Sequence, residues 1–263
     1  MYYVVRYRRA ITRKNMIHSF PDYTTPQIRQ LEKQFYHHFA DVIVEIAWNY
    51  RASEDEIKQH MVFDNIEDVE QWAQQKQGVI FMLGHLGNWE WLPAVQLYYH
   101  NPDLRHYNVY RQLKDETTNR LMLSMREKRS GEGSSIEKNS LVRKMIAMHH
   151  TKQLFTLGLI SDQKVSPRNA YHWTEFLHQD TSFLGGGEVL ARKMDWAVTY
   201  IQIRQTRRGY YQAHFVPITL APTETKEGEI TETFARMLEQ NILEQPALWL
   251  WTHNRWKWKR EDH

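Results

Sequence analysis

The stretch Val79-Ile80-Phe81-Met82-Leu83-Gly84-His85-Leu86-Gly87-Asn88-Trp89-Glu90-Trp91 decides how the chain is read. Its first five residues form a continuous apolar run. That run follows the polar segment Gln74-Gln75-Lys76-Gln77-Gly78 and stops at Gly84. A short apolar run of this kind reads as a strand buried on both faces, as in parallel sheets. His85 stands at its carboxyl end, and Glu90 follows five positions later. Open α/β sheets bind their ligands at the carboxyl ends of the strands, so chemistry is expected here. Gly84 and Gly87 flank His85 and let the backbone turn sharply. Asn88 suits the cap of a helix that carries Glu90 in its first turn.

On one continuous helix, residues five apart do not share a face. With His85 on the turn and Glu90 inside the new helix, the carboxylate can reach back to the imidazole. A carboxylate on one ring nitrogen fixes the tautomer and raises the basicity of the other. The pair is then a general base for a hydroxyl brought in by the substrate. The residues alone also allow a histidine packed at a strand end beside a solvated glutamate. The context favours chemistry: Gly84-His85-Leu86-Gly87-Asn88-Trp89-Glu90 resembles the signature of the lipid A late acyltransferases. These enzymes transfer an acyl chain to a lipid-borne hydroxyl. The wider lysophospholipid acyltransferase superfamily shares the His-x4-acid core. Leu86 stands where the family has an aromatic.

Further blocks extend the resemblance over roughly residues 30 to 260. Arg105 to Tyr110 alternates as a strand, and Arg111 follows it directly. An arginine at a strand end can clamp a phosphate or carboxylate, although a surface ion pair would use it equally well. Val109-Tyr110-Arg111 resembles the second family block, whose arginine engages anionic substrate groups. Gln153 to Ile160 reads as a core strand delivering Ser161-Asp162-Gln163, another block. Asp162 would orient Arg111 or a substrate group, or simply cap a turn. The resemblance thus implies His85 as general base and Glu90 as its orienting partner. Asn88, Arg111, Asp162 and Gln163 are the substrate-binding candidates. Phe176 to Phe183 resembles the family's loop before the glycines, with His178 and Gln179 departing from it. Gly185-Gly186-Gly187-Glu188 then opens a helix whose free N–H groups suit an anion. The segment from Gln245 to Lys257 resembles the family's C-terminal block closely.

The remaining elements follow from periodicity. Thr25-Pro26 starts an amphipathic helix with Ile28, Leu31, Phe35, Phe39, Val42, Ile43 and Ile46 on one face. Ile57 to Gln75 reads as one or two short polar helices. The helix after Glu90 is expected to run to Tyr99. Asp115 to Arg129 and Asn139 to His150 are helical, with a Gly/Ser loop between them at 130–135. Ala197 to Gln205 and Tyr210 to Ile218 form a strand pair turning at Arg207-Arg208-Gly209. Glu229 to Glu244 is an amphipathic helix. The resemblance implies an α/β fold of glycerol-3-phosphate acyltransferase type, a mostly parallel central sheet flanked by helices. Residues 1–25 are expected as a basic, aromatic, membrane-proximal segment, and residues 26–263 as one acyltransferase domain.

Composition bounds the function. The 263 residues are 41% hydrophobic and 25% charged, enough for one core. There is no Cys, which removes disulfides, cysteine nucleophiles and thiolate metal sites. No Gly-x-Ser-x-Gly elbow, Gly-Lys-Ser/Thr phosphate loop or His-Glu-x-x-His helix occurs. No metal or cofactor is expected. No apolar stretch is long enough to span a bilayer, and no signal peptide is visible. Family members usually carry a hydrophobic N-terminal helix, and this chain is expected to begin just after it. Arg6, Arg8, Arg9, Arg13 and Lys14 mix with Tyr2, Tyr3 and Tyr7, and Arg255, Lys257, Lys259 and Arg260 mix with Trp256 and Trp258. Such ends suit an anionic membrane surface.

Together these points predict a monomeric acyltransferase, peripheral on the cytoplasmic face of a bacterial inner membrane. It would take a fatty acyl chain from acyl carrier protein to a hydroxyl of a lipid A precursor, without nucleic acid as partner. Two alternatives share the residues: acylation of another lipid acceptor, a glycolipid or aminolipid, or a non-catalytic membrane-surface or nucleic-acid-binding module. The intact His85 and Glu90 speak against a silent module.

Overall fold

A computed structural model describes residue 2 and residues 6–261. Tyr3, one of the aromatics expected at a membrane, lies outside them. Helix α1 (Arg9–Ser19) packs on α2 (Thr25–Asn49). Helix α2 is capped one residue earlier than expected, by a reciprocal pairing of Thr24 and Gln27. The 57–75 region divides into α3 (Glu54–His60), a three-residue strand β1 (Met61–Phe63) and α4 (Ile66–Lys76).

Strand β2 (Gly78–Leu83) is the apolar run, and Val79 to Leu83 are each at most 1% exposed. Trp89–Tyr98 then winds as a 3₁₀ segment, not the expected α-helix. Pro93 lies inside it and has no N–H to donate to an α-helical ladder. Next come β3 (Arg105–Tyr110), α5 (Glu116–Ser130), β4 (Ser135–Glu137), α6 (Leu141–His150) and β5 (Phe155–Ile160).

Residues 176–183, expected as a loop, belong to a hairpin of β6 (His172–Phe176) and β7 (Gln179–Phe183). Its turn residues Leu177 and His178 have φ of 50° and 59°. That is the backbone of a mirror-image two-residue turn, which sequence usually announces with Asn-Gly. Here burial stands in for glycine: Leu177 is 1% exposed and its N–H donates to Glu239. After α7 (Gly186–Met194), strands β8 (Ala197–Arg207) and β9 (Tyr210–Thr219) form the expected antiparallel pair, and α8 (Glu229–Glu244) follows.

Seven strands form one sheet in the order β1-β9-β8-β2-β5-β3-β4. All neighbours are parallel except β8 and β9. The fold is therefore α/β, with a mostly parallel sheet flanked by helices. Strand β2 lies at the centre between β8 and β5, packed against α4, α7 and α8. Among the described residues, no helix is long and apolar enough to cross a membrane.

Candidate active site

The site is built by register. Strands β2 and β5 run parallel with Leu83 paired to Ile160, and the Ser161 N–H donates to the Leu83 carbonyl at 2.9 Å. Two residues beyond that pair on each strand stand His85 and Asp162, side by side. His85 Nδ1 lies 2.6 Å from Asp162 Oδ1, and the His85 backbone N–H donates to Oδ2 at 2.8 Å. The indole of Trp249 donates to the same Oδ2 at 2.8 Å. Asp162 is 2% exposed and the His85 side chain 13%.

The electrostatics favour an ion-paired or strongly polarised couple. Burial disfavours the carboxylate, but His85, its backbone N–H and Trp249 outweigh it and hold Asp162 at a pKa of about 2. Burial likewise disfavours the imidazolium, yet Asp162 prevails and raises His85 above its ordinary value. With Nδ1–H directed at Asp162, Nε2 is left as the basic nitrogen for the cleft.

Glu90 is expected beside the imidazole, in the place where Asp162 stands. Its carboxylate instead takes a bidentate pair of bonds from Arg126 on α5, at 2.9 and 2.7 Å. The 3₁₀ winding after Asn88 carries Glu90 to the wall facing α5, and its charge reaches His85 only through space. Burial lowers the Arg126 pKa, but Glu90 more than compensates and leaves it raised.

Asn88 also differs from expectation. It is fully buried, and its Nδ2 donates to Glu45 Oε2 on α2 at 2.8 Å. Glu45 accepts from the Tyr211 hydroxyl at 2.9 Å as well. Asn88 therefore ties the turn to α2 and does not line the cleft.

His85 opens onto a cleft of about 860 Å³, within the range of ligand sites. Glu90, Arg111 and Gln163 line it, as do Lys114 and Lys138. Met122, Leu123, Leu159 and Leu184 give it an apolar side. Gly186 and Gly187, the first turn of α7, reach the same space, so free helix N–H groups adjoin it. Of the residues singled out from sequence, the cleft gathers His85, Glu90, Arg111 and Gln163, with Asp162 buried beneath His85.

Sequence reasoning assigned no partner role to Arg126 or Trp249. One signal for Asp162 was present: His85 and Asp162 each stand two residues past an apolar run. Only the adjacency of the two strands turns that likeness into contact.

What the arrangement can do is withdraw a proton in a partly apolar, cation-rimmed space, the requirement for moving an acyl group onto a hydroxyl. No curated protein matches the chain. The family described as "Bacterial lipid A biosynthesis acyltransferase" matches residues 1–258. With nearly its whole length matched, the chain belongs to the bacterial lipid A biosynthesis acyltransferases.

Proposed function

We propose that this member transfers a fatty acyl chain from the thioester of acyl carrier protein to a hydroxyl of a lipid A precursor. His85 Nε2 takes the proton of the acceptor hydroxyl while the oxygen attacks the thioester carbonyl carbon. The tetrahedral intermediate then collapses, the C–S bond breaks, and the departing thiolate receives the proton from the imidazolium. The products are an ester and a free thiol, so the step balances without a cofactor.

In this reading Asp162, in place of Glu90, fixes the imidazole tautomer and stabilises the imidazolium. Arg111 faces the anionic groups of the acceptor or the developing oxyanion. The Glu90–Arg126 pair keeps a partly buried cation in place on the opposite wall. Lys114 and Lys138 suit phosphate groups as point charges, while Met122, Leu123, Leu159 and Leu184 suit an alkyl chain. We place the protein at the cytoplasmic face of the inner membrane, where an acyl carrier protein and a lipid acceptor meet. The observation that carries the proposal is the 2.6 Å His85–Asp162 contact at the mouth of a cleft with both cationic and apolar walls.

The test is incubation of the purified protein with acyl carrier proteins of several chain lengths and a lipid A precursor, followed by lipid mass spectrometry. An acceptor heavier by one acyl group, absent with His85→Ala, is the expected result. Transfer from no carrier-bound chain, or undiminished transfer by His85→Ala, would overturn it.

A further inference from the structure

The end of the chain holds the His85–Asp162 pair from several directions. The Gly87 N–H donates to the Leu248 carbonyl at 3.1 Å, and the Leu250 N–H donates to the His85 carbonyl at 3.0 Å. Between them Leu86 and Trp249 form an isolated antiparallel bridge. Residues 248–250 thus run as a strap along the turn that bears His85. The strap also reaches the other strand: Trp249 Nε1 lies 2.8 Å from Asp162 Oδ2, and His253 Nε2 accepts the Lys164 N–H at 3.0 Å. Both halves of the pair, which come from different strands, are tied to one short segment.

The strap is itself anchored. Asn15 on α1 donates to the carbonyls of Trp251 and His253 at 3.0 and 2.9 Å. Trp249 is 2% exposed and set edge-on against Phe176, Trp251 and Trp256. Packing alone does not account for its bond to Asp162. Trp91 and Trp196 are buried as deeply, and their indole nitrogens have no acceptor among the described residues. The Trp249 ring is turned so that its one donor meets the carboxylate that orients the base.

We propose that Trp249 is a positioning residue for acyl transfer: its indole N–H holds Asp162 Oδ2, so that Oδ1 is presented to His85 Nδ1 in a fixed orientation. This rests on the reading of His85 as general base. The direction of the effect follows from competition for one carboxylate. Oδ2 shares its charge between the His85 backbone N–H and the indole. Without the indole, more of that charge is available to the imidazolium, and the carboxylate gains freedom to rotate. His85 should therefore become more basic and less well aimed. The other titratable or charged groups around the pair are Glu90 and Arg126 across the cleft, Arg255 and the neutral His253 from the strap region, and Lys164 beside His253. Tyr200 lies within electrostatic reach of Asp162. None of these is altered by a change at position 249.

The experiment replaces Trp249 in the full chain with benzothienylalanine, which keeps the ring shape and exchanges N–H for sulfur. Trp249→Phe serves as a second variant, with thermal unfolding to show that each remains folded. His85 is titrated by ¹⁵N-histidine NMR without substrate, its signal assigned by loss in His85→Asn. We expect the His85 pKa to rise by about half a unit. We also expect kcat to fall about 10-fold, the scale of one hydrogen bond to a charged group, with KM for the acyl donor within about twofold. The same replacement at Trp251, whose indole donates to the Pro246 carbonyl, should leave the His85 titration where it was. An unmoved or lowered His85 pKa in the Trp249 variant, or an equal shift in the Trp251 variant, overturns the proposal. The two readings separate cleanly. A moved titration in a protein without transfer activity removes the acyl-transfer reading and leaves the positioning intact; transfer with an unmoved titration does the reverse.

Discussion

His85 and Asp162 are 77 residues apart in the chain and 2.6 Å apart in space, and their partnership sets the order of mutational sensitivity. His85→Ala should lower turnover by about 10² to 10⁴, the usual contribution of a general base, in a single-turnover assay with carrier-bound acyl donor. Asp162→Asn should come close to that loss and also shift the pH profile. The raised pKa of His85 means that the acid limb of kcat/KM lies above an ordinary histidine's value, with rate increasing as pH rises through it. Removing the carboxylate leaves burial as the dominant influence, so the limb should move to lower pH as the rate falls. A limb that moves up in Asp162→Asn would contradict the pairing. Glu90→Gln leaves the imidazole tautomer untouched and strands the Arg126 guanidinium, so its cost should appear mainly in KM. A loss in kcat equal to that of Asp162→Asn would return Glu90 to the role first expected of it. His85, and its place at a strand end, were legible in the sequence because an apolar run and two glycines mark the turn. Its partner was not, since five-residue spacing draws attention to Glu90 while the contact with Asp162 depends on strand order.

Elements with a strong internal period were readable in advance, and those without one were not. Strands β2 and β3, helices α5 and α8 and the β8–β9 pair stand within a residue or two of where their patterns put them. Strands β1 and β4 have three residues each, too few for alternation to register. The β6–β7 hairpin was hidden because its turn lacks glycine and asparagine, and its strained backbone is maintained by tertiary contacts. Tertiary contact also governs the α7–α8 junction. Glu188 in the first turn of α7 is fully buried and accepts from the N–H groups of Gly228 and Thr231 and from the Thr231 hydroxyl. It therefore serves as a cap for a helix other than its own. Glu188→Gln should destabilise the protein by about 2 kcal/mol, the scale of a hydrogen bond to a buried charge, read as a shift of the urea midpoint. An unchanged midpoint would show that the junction is held by packing alone.

For the whole molecule, the cations of the basic N-terminal region differ in surroundings, and Arg8 donates to the Thr252 carbonyl. Arg9 and Arg13 both bond Glu32, whose side chain is fully buried, at 3.0 and 2.6 Å. Arg6 and Lys14 stand exposed in the same groove along α1. We propose that this exposed pair contributes to docking on an anionic membrane. Arg6→Ser/Lys14→Ser should weaken cosedimentation with anionic liposomes by about 30-fold, at about 1 kcal/mol for each cation, and leave neutral liposomes unaffected. Equal binding of wild type and variant to anionic liposomes would assign docking to another surface. The strap carries a last consequence, in the order of synthesis. Its residues 248–250 are made well after strands β2 and β5, and Asn15, which anchors the segment just beyond them, well before. The central strands can associate on the ribosome while the base still lacks its tether. A nascent chain, or one cut ahead of residue 248, would hold His85 and Asp162 without that brace. Competence to spend an activated acyl group would then arrive only once the strap has been made, and a cut that removes residues 248–250 would withdraw it.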